Sequence, residues 1–375
     1  MEYCDVAIVG GGPAGSTCAS QLRAGGMDVV VLDKQRFPRD KVCAGWITPE
    51  VLALLALDWE DYRQHYVLQS INSFRTGLID GPEVFTQYDH TVSYGIRRCE
   101  FDHYLLQRSQ ARLALGEPLK HLERDGDTWL INNRLRTPLI IGAGGHFCPV
   151  ARHLGANPGS SEQVVAAQEV EFKLSAEQQR HCRIEPDTPE LYFCRDLRGY
   201  GWCFRKGDYL NIGLGREDSH KLSSHVTKFL ELLIEKNKLP NDVPTRFKGH
   251  AYLLYTQRQP RKLIDDGVLL IGDAAGLAYP QSGEGIRPAV ESGLIAADVV
   301  LALAGNYSGD HLARYETQLI TRFGERRRRT GLIDCLPLPL THYLAKKLMA
   351  SVRFSRHTVL DRWFLHRDGV APAKV

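Results

Sequence analysis

Residues 6–15 read Val-Ala-Ile-Val-Gly-Gly-Gly-Pro-Ala-Gly, an apolar run followed by the glycine pattern G-x-G-x-x-G. The three glycines of the pattern are Gly10, Gly12 and Gly15. In a dinucleotide-binding unit, the first permits a tight turn, the second lets a pyrophosphate approach the backbone, and the third lets the helix pack on the strand. This stretch therefore predicts a nucleotide site at a strand-to-helix turn, whereas the glycines alone would indicate only a turn.

The flanking sequence supplies the context that the glycine pattern needs. Small residues from Ala14 to Ala24 predict a helix, and the β-branched run from Val29 to Leu32 predicts the next strand. Asp33 ends that strand at the distance expected of the acid that accepts a hydrogen bond from a ribose hydroxyl. The helix N-terminus offers free N–H groups to a phosphate. Further predicted cofactor contacts here are Pro13, Ala14 and Lys34.

A second motif near the other end of the chain separates the candidate dinucleotides. Residues 268–275 read Val-Leu-Leu-Ile-Gly-Asp-Ala-Ala, and Pro280 and Gly283-Glu284-Gly285 follow. The two motifs together resemble the p-hydroxybenzoate hydroxylase superfamily of FAD proteins. The resemblance implies that Asp273 binds the ribityl and pyrophosphate region, and that a helix beginning near Gly285 stabilises negative charge on the reduced flavin. It adds Gly272, Gly283 and Ile286 to the predicted cofactor contacts.

Three further segments resemble the geranylgeranyl reductase family within that superfamily. Residues 37–45 are similar to its F-P-R-x-K-x-C-G-G stretch, with Ala44 in place of the first paired glycine. Residues 98–102 match R-x-x-F-D, and residues 200–208 match Y-x-W-x-F-P-K-G-D with Arg205 replacing proline. The resemblance covers most of residues 1–300. It implies cofactor contacts at Arg39, Cys43, Ala44, Gly45 and Arg98.

The same segments contain the candidate catalytic residues Cys43, Tyr200 and Trp202. A strand places Tyr200, Trp202 and Phe204 on one face, where they form either an aromatic wall against flavin or substrate or part of a sheet core. In the resemblance Cys43 lies close to the flavin, where its thiol either donates a proton or packs as a small hydrophobe.

One departure from the superfamily concerns the electron donor. Gly144 stands where the superfamily has the aspartate of G-A-D-G, which is linked with pyridine-nucleotide contacts. Direct use of NAD(P)H is therefore in doubt, and another reductant or an electron-donor protein stays open. His146 lies beside this position and carries no assigned role.

The order of predicted elements indicates an α/β fold of interleaved parts. A Rossmann-type FAD-binding domain is interrupted by a β-sheet substrate domain, as in p-hydroxybenzoate hydroxylase, and a helical region follows. The predicted FAD-binding domain comprises residues 1–66, 97–160 and 255–305. The predicted substrate domain comprises residues 67–96 and 161–254, and the C-terminal helical region residues 306–375. A helix over Phe101 to Leu115 and antiparallel strands in one inserted sheet over Leu68 to Tyr94 are part of this prediction.

Composition limits the class of protein. A net charge of +3 gives no reason to expect a nucleic-acid partner, and nine scattered cysteines without metal-type spacing favour free thiols in a reducing cytoplasm. No signal peptide or spanning segment is expected. The charge run Arg326 to Arg329 is typical of a solvated helix face, and an anionic membrane surface or an acidic partner is the alternative. The tail beyond it alternates basic and apolar residues, which fits a packed lobe, a cap over the cavity or a peripheral membrane contact.

The two nucleotide motifs favour an FAD-dependent oxidoreductase, and the resemblance to the geranylgeranyl reductase family implies that it reduces carbon–carbon double bonds of a small hydrophobic, prenyl-type substrate. An FAD-dependent monooxygenase acting on an aromatic or other small molecule is the alternative, and a non-catalytic flavin-binding redox or interaction protein is a second. A plain NAD-dependent dehydrogenase does not explain the Gly272-Asp273 motif. Halogenation is disfavoured because the sequence has neither W-x-W-x-I-P nor a lysine between Lys41 and Lys120.

Overall fold

The computed structural model describes residues 1–158, 162, 164–218, 221–256, 260–326 and 337–367, with the backbone alone at residues 338 and 339. The strands of the first half are β1 Glu2–Tyr3, β2 Val6–Val9, β3 Val29–Asp33, β4 Trp46–Ile47, β5 Leu68–Ile71, β6 Ser73–Leu78, β7 Glu83–Gln87, β8 Ser93–Ile96, β9 Arg112–Leu115 and β10 Leu122–Asp125. The later strands are β11 Thr128–Ile131, β12 Leu135–Thr137, β13 Leu139–Gly142, β14 Val165–Lys173, β15 Glu190–Phe193, β16 Gly199–Lys206, β17 Tyr209–Arg216, β18 Lys248–Tyr252, β19 Ile264–Asp265 and β20 Val268–Leu270.

The helices separate and cover these strands. They are α1 Pro13–Ala24, α2 Pro49–Leu54, α3 Trp59–His65, α4 Arg98–Arg108, α5 Pro149–His153, α6 Ala176–His181, α7 Leu222–Glu235, α8 Ile286–Leu303, α9 Gly309–Phe323, α10 Leu338–Met349 and α11 Val352–Phe354. A 3₁₀ turn covers Gly272–Ala274, and a π-helix covers Ser355–Phe364.

The nucleotide-binding part is built around a six-stranded sheet in the order β19-β20-β13-β2-β3-β9. All neighbouring strands in it are parallel except β19 and β20. The central strands are buried apolar runs, as parallel strands covered on both faces must be. The predicted βαβ unit at β2, α1 and β3 is confirmed. Since β13 and β20 join this sheet after long excursions of the chain, the sheet draws on distant parts of the sequence.

The predicted helix over Phe101 to Leu115 is wrong at its C-terminal end. The helix α4 ends at Arg108, and Gln110 adopts a left-handed backbone conformation with φ of 50°. The last four residues instead form β9, which pairs in parallel with β3 at the sheet edge. Pairing with an exposed sheet edge satisfies the backbone groups of β9, which outweighs the helical spacing of its apolar residues.

A seven-stranded sheet in the order β18-β14-β17-β16-β15-β6-β7 forms the second layer. The segment from Leu68 to Tyr94 was expected in one inserted sheet, but it divides between two. Strands β6 and β7 join the seven-stranded sheet, whereas β5 and β8 pair with β4 in a small three-stranded sheet. Asn72 separates β5 from β6 and donates its N–H to the carbonyl of Asp187. The exact domain boundaries stay a prediction.

The C-terminal helices pack on one face of the seven-stranded sheet. Ala345 and Met349 of α10 and Phe364 of the π-helix share a buried cluster with Trp202 and Phe204 of β16. Of the charge run Arg326 to Arg329, only Arg326 lies within the described residues. Its guanidinium donates to the carbonyls of Ala275 and Gly276, so this residue is not a solvated helix face.

Two expectations concern the whole chain. The eight cysteines within the described residues are all free thiols. Among the helices in the described ranges, none is both long enough and apolar enough to cross a bilayer. Of the apolar tail residues, Leu332 and Leu336 lie outside the described part of the chain.

Candidate active site

A cavity of about 510 Å³ lies where the carboxyl ends of β2, β3, β13 and β20 meet the seven-stranded sheet. Ligands of open α/β sheets bind at this edge of the parallel strands. The cavity brings together most of the site residues predicted from sequence. They are Gly10, Gly12, Pro13, Ala14, Asp33, Lys34, Arg39, Cys43, Ala44, Arg98, Tyr200, Trp202, Asp273, Gly283, Gly285 and Ile286.

The dinucleotide turn is fixed by close backbone contacts. Gly10 has φ of +119°, and a Cβ there would lie 2.4 Å from the Ala143 carbonyl oxygen. A Cβ at Gly15 would lie 1.9 Å from the Gly10 carbonyl oxygen, so a side chain at either position would displace the turn. Asp33 accepts a hydrogen bond from the Gly11 N–H at 2.9 Å and so holds the turn against the end of β3.

Three predicted glycines do not line the cavity. Gly15 lies behind the turn, as described. Gly45 donates its N–H to the Cys43 sulfur at 3.4 Å, and Gly272 donates its N–H to the Ser292 hydroxyl at 3.0 Å. These three glycines allow the backbone conformation that forms the cavity wall, but they do not themselves line the cavity.

Two arginines project into the middle of the cavity and share one buried carboxylate. Arg98 makes a bidentate pair with Asp102 at 2.8 Å for both contacts, and Arg39 lies 3.1 Å from the same carboxylate. Asp102 is fully buried at the first turns of α4. A bidentate geometry holds a guanidinium in a fixed plane, so the cavity presents two oriented positive groups to an anion.

A chain of three polar residues lies beside the 3₁₀ turn after β20. The Lys41 ammonium lies 2.6 Å from Nε2 of His250, which lies 3.7 Å from the Asp273 carboxylate. Burial lowers the pKa of Lys41 to about 8, although the charge of Asp273 opposes this. Burial also lowers the pKa of His250. The pKa of Asp273 is lowered despite its burial, because His250 and Lys41 stabilise the carboxylate, so Asp273 is an anionic acceptor at this point.

The far part of the cavity is aromatic. Tyr200 and Trp202 both line it, with ring centroids 6.1 Å apart, so the predicted wall of β16 faces the cavity. Phe204 does not line it but packs edge-on against Trp46, which does. Phe364 of the π-helix closes this part and contacts Tyr200 edge-on at 5.4 Å. These residues define the aromatic compartment: Trp46, Tyr200, Trp202 and Phe364.

The two candidate proton donors, Tyr200 and Cys43, differ in whether their proton already binds to an acceptor of the protein. The Tyr200 hydroxyl donates to the Ser282 carbonyl at 2.5 Å, and burial raises the pKa of Tyr200. Its proton is therefore held by the protein. Cys43 is half-buried at the cavity wall, with its sulfur accepting the Gly45 N–H. Trp202 donates its indole N–H to Asn211 at 2.7 Å, so it presents a ring and no proton to the cavity.

The loop after β13 carries the departure at Gly144. Gly144 and His146 both line the cavity. His146 is buried, and Arg261 donates to its carbonyl at 2.9 Å and lies 3.1 Å from its Nδ1. Burial, with the charge of Arg261, lowers the pKa of His146 to about 4, so this side chain is neutral near pH 7. Its contacts hold the loop in place.

Sequence reasoning missed several lining residues. Lys41 lies within residues 37–45, and its place in the F-P-R-x-K-x-C-G-G motif was a usable signal. His250 is a single histidine on β18, and Trp46 and Phe364 are aromatic residues without a motif, so sequence gave no reason to place them together. Asp102 does not line the cavity; it belongs to the R-x-x-F-D motif, but the motif gives no sign that it pairs with both Arg39 and Arg98.

The arrangement fits FAD on physical grounds. The N-terminus of α1 has no side-chain cap, and a Cβ at Gly12 would still lie 3.7 Å from the Arg39 guanidinium, so a pyrophosphate has both donors and room there. Carboxylates at Asp33 and Asp273 line the same cavity and suit the hydroxyls of ribose and the ribityl chain. The residues that would hold the cofactor are thus spread along one continuous cavity.

Comparisons with known proteins agree with this geometry. A sequence family described as FAD dependent oxidoreductase matches residues 5–91, and one described as FAD binding domain matches residues 120–323. A geranylgeranyl diphosphate reductase from Rhodobacter capsulatus is 30% identical over 80% of this chain and 76% of its own. A digeranylgeranylglycerophospholipid reductase from Methanocaldococcus jannaschii is 26% identical over 84% of this chain and 82% of its own.

Solved structures show the same fold. A geranylgeranyl bacteriochlorophyll reductase-like protein from Thermoplasma acidophilum superposes with a TM-score of 0.76 at 21% identity, covering 97% of each chain. A mutant of the halogenase PltM in complex with FAD superposes with a TM-score of 0.66 at 18% identity, covering 84% of this chain and 73% of that one. The predicted α/β fold of the p-hydroxybenzoate hydroxylase type is confirmed.

The fold and the cavity define an FAD-dependent oxidoreductase, which confirms the cofactor and enzyme class expected from sequence. Within that class, the chain belongs to the geranylgeranyl reductase family. The individual contacts of the site residues with FAD, and the catalytic roles of Cys43, Tyr200 and Trp202, stay predictions.

Proposed function

We propose that this protein reduces carbon–carbon double bonds of a prenyl chain with electrons from reduced FAD. The observation that carries the proposal is the aromatic compartment, which belongs to the same cavity as the residues that would hold FAD and contains no charged side chain among its four defining residues. An extended hydrocarbon gains free energy by leaving water for such a surface. The named activities of the relatives support the same substrate class.

The reaction needs a reductant, a positioned alkene and a proton. Bound FAD supplies the hydride when it is reduced. The aromatic rings hold the chain against one side of the cavity, and the ring faces exclude water from it. Cys43 is the proton donor that fits best, because its thiol lines the cavity while the Tyr200 proton is held by the Ser282 carbonyl. A proton source within hydrogen-bond reach is the geometric requirement for such a step.

The test is anaerobic. The FAD-loaded protein is photoreduced and mixed with geranylgeranyl diphosphate in one arm and a digeranylgeranylglycerophospholipid in the other, while flavin absorbance is followed. Reoxidation without oxygen, together with a product two hydrogen atoms heavier per double bond, supports the proposal, and the faster arm identifies the headgroup. Reoxidation only on admission of oxygen, with one oxygen atom added to a substrate, would assign the protein to the monooxygenases. Unchanged flavin in all arms, with and without oxygen, would support a non-catalytic flavoprotein.

We further propose that helix α10 and the following residues contact an anionic membrane surface. Exposed apolar side chains lie along one side of this segment, and they are Leu340, Tyr343, Leu344, Leu348 and Val352. The opposite side of α10 is buried against the aromatic cluster through Ala345 and Met349. A helix that is apolar on both its buried and its outer side is unusual for a surface exposed only to water.

Charge favours a bilayer over other apolar partners of this face. Lys346 and Lys347 are exposed beside the apolar side chains, Arg353 and Arg356 follow, and no acidic residue occurs between positions 338 and 360. Basic residues beside an amphipathic helix attract anionic lipids by about 1 kcal/mol each. A membrane-embedded prenyl substrate would then lie next to the element that closes the cavity with Phe364.

Vesicle binding tests this contact. The FAD-loaded protein is sedimented with vesicles of phosphatidylcholine alone, or of equal parts phosphatidylcholine and phosphatidylglycerol. We expect binding to the anionic vesicles that decreases at high salt and is lost in the double variant Leu344→Asp, Leu348→Asp. The matched control is Ile320→Asp, which changes an exposed apolar residue on α9. Equal binding by the double variant and the control would refute the proposal, as would self-association of the wild-type protein through the same residues without vesicles.

A further inference from the structure

The buried side-chain amide of Asn211 lies behind the cavity and bonds to two residues that line it, Trp202 and Cys43. Asn211 lies on β17, is 1% exposed and does not line the cavity. Its Oδ1 accepts the indole N–H of Trp202 at 2.7 Å, and its Nδ2 donates to the Cys43 carbonyl at 3.2 Å. Because an indole nitrogen can only donate, this pairing also fixes which way the amide is turned. One side chain therefore ties the aromatic wall to the segment that carries Cys43.

The amide belongs to a network of polar side chains inside the protein. The same Nδ2, which has two hydrogens, also lies 3.0 Å from a Glu169 carboxylate oxygen and 3.2 Å from one of Glu171, so two N–H groups are shared among three acceptors. Lys206, which is 1% exposed, donates to Glu171 at 2.6 Å and to the Ile96 carbonyl at 2.9 Å. Each carboxylate thus has a donor, and the lysine has two acceptors. Buried hydrogen bonds of this kind rigidify the groups that they join.

The backbone of β17 makes the position of the indole ring depend on this bond. In the sheet register Trp202 lies opposite Gly213, two residues after Asn211 and on the same face of the strand. A Cβ at Gly213 would lie 2.3 Å from the indole ring, so the ring occupies the space that a side chain would take. Contact with Gly213 fixes how far the indole ring lies above the sheet, and the hydrogen bond to the Asn211 oxygen fixes the position of its N–H edge.

We propose that Asn211 is a positioning residue that sets the relative placement of Cys43 and Trp202 in the cavity. Its carboxamide is suited to this, because it accepts from the indole and donates to the carbonyl at the same time. Aspartate could not donate to Cys43, and leucine could do neither. The consequence for turnover rests on the proposed function, since it assumes that a substrate lies between the thiol and the aromatic wall. The relative placement of Cys43 and Trp202 does not depend on the proposed function.

The first test therefore needs no substrate. The FAD-loaded wild-type, Asn211→Leu and Asn211→Ser proteins are treated with iodoacetamide, and alkylation of Cys43 is followed by mass spectrometry of its peptide. Cys99 is also half-buried and provides a reference thiol within the same chain. We expect alkylation of Cys43 relative to Cys99 to become about fivefold faster in both variants, since the loss of a hydrogen bond worth about 1 kcal/mol corresponds to a factor of about five in rate. The serine variant carries the test if the leucine variant does not fold.

The matched control is Thr76→Val on β6 of the same sheet. Thr76 is fully buried, and its hydroxyl has no hydrogen-bond partner among the described residues, so the change removes a buried polar atom without breaking a contact. The inference is overturned if the folded Asn211 variants alkylate Cys43 at the rate of Thr76→Val. If they alkylate it faster, and the wild type reduces prenyl chains, we expect kcat to fall about tenfold with KM changed less. A wild type without prenyl reduction would refute the proposed function and leave the alkylation result standing.

Discussion

The rings of Trp46 and Phe364 are stacked, with centroids 5.1 Å apart and planes at 14°. Trp46 belongs to β4 near the start of the chain, and Phe364 to the π-helix near its end. Both line the cavity. The C-terminal region is therefore part of the cavity wall, which favours the cap interpretation of the tail over a lobe packed elsewhere.

The stacked pair leads to a prediction about substrate handling. Phe364→Ala removes a ring that is 4% exposed and leaves the aromatic compartment open at that end. We expect kcat/KM for geranylgeranyl diphosphate or the corresponding phospholipid to fall about tenfold or more, because a mispositioned chain loses its orientation toward the flavin. FAD affinity, measured by flavin fluorescence titration, should be unchanged. Phe364→Leu restores most of the side-chain volume and should recover part of the activity. An equal loss in both variants would contradict the idea that Phe364 acts by filling one end of the aromatic compartment.

A second prediction separates the two candidate proton donors. Cys43→Ala should slow anaerobic reoxidation of reduced flavin by the prenyl substrate by about 10²-fold or more, the usual contribution of a general acid. Tyr200→Phe should slow it by less than about tenfold, because the Tyr200 proton is already donated to the Ser282 carbonyl. Stopped-flow absorbance in single-turnover mode measures both rates. The reverse order of effects would assign the proton to Tyr200.

Asp102 should matter more to stability than its lack of contact with the cavity suggests. Asp102→Asn leaves the buried guanidinium of Arg98 and the neighbouring Arg39 without their shared countercharge. Breaking a buried ion pair by removing one partner costs about 3–5 kcal/mol. Urea unfolding should therefore show a loss of about 3 kcal/mol or more. Asp40→Asn, at an exposed pair with Lys248, is the control and should change stability by less than about 1 kcal/mol. Similar losses in the two variants would argue against the shared-partner role.

The sequence predicted the nucleotide part of the site well because local constraints determine it. A Cβ at Gly10 would lie 2.4 Å from the Ala143 carbonyl oxygen, so this turn leaves no alternative to glycine, and the glycine pattern in the sequence predicts the turn directly. The alternation of Tyr200 and Trp202 likewise fixed which face of β16 they share. Both features are determined by residues close together in sequence, so a local sequence pattern is enough to predict them.

The remainder of the site depends on contacts between distant segments. Lys41 meets His250, and Trp46 meets Phe364, only after the six- and seven-stranded sheets have packed together. The wrong end of the predicted helix at residues 112–115 has the same origin. Its apolar residues fit a helix locally, but the edge of β3 offers backbone hydrogen bonds that the local pattern does not reveal.

The last prediction concerns the pH dependence of stability. Glu169 is 6% exposed, and burial raises the pKa of its carboxyl from 4.5 to about 7, although the charge of Lys206 and hydrogen bonds from the Cys43 N–H and Asn211 oppose the shift. Its other charged neighbour is Glu171, which raises it further. Between these two values the folded protein keeps a proton that the unfolded chain releases, so this group's contribution to stability falls as pH rises through that range.

Glu169→Gln should remove this dependence. The difference in unfolding free energy between wild type and variant should decrease by about 3 kcal/mol between pH 4.5 and pH 7.5, since each pKa unit corresponds to about 1.4 kcal/mol. Urea unfolding at a series of pH values measures it, and groups present in both proteins, such as His146, cancel in the difference. Glu177→Gln, at an exposed glutamate on α6, is the control and should give a curve parallel to wild type. A parallel curve for Glu169→Gln as well would mean that Glu169 keeps an ordinary pKa and stays ionised beside Cys43 and Asn211.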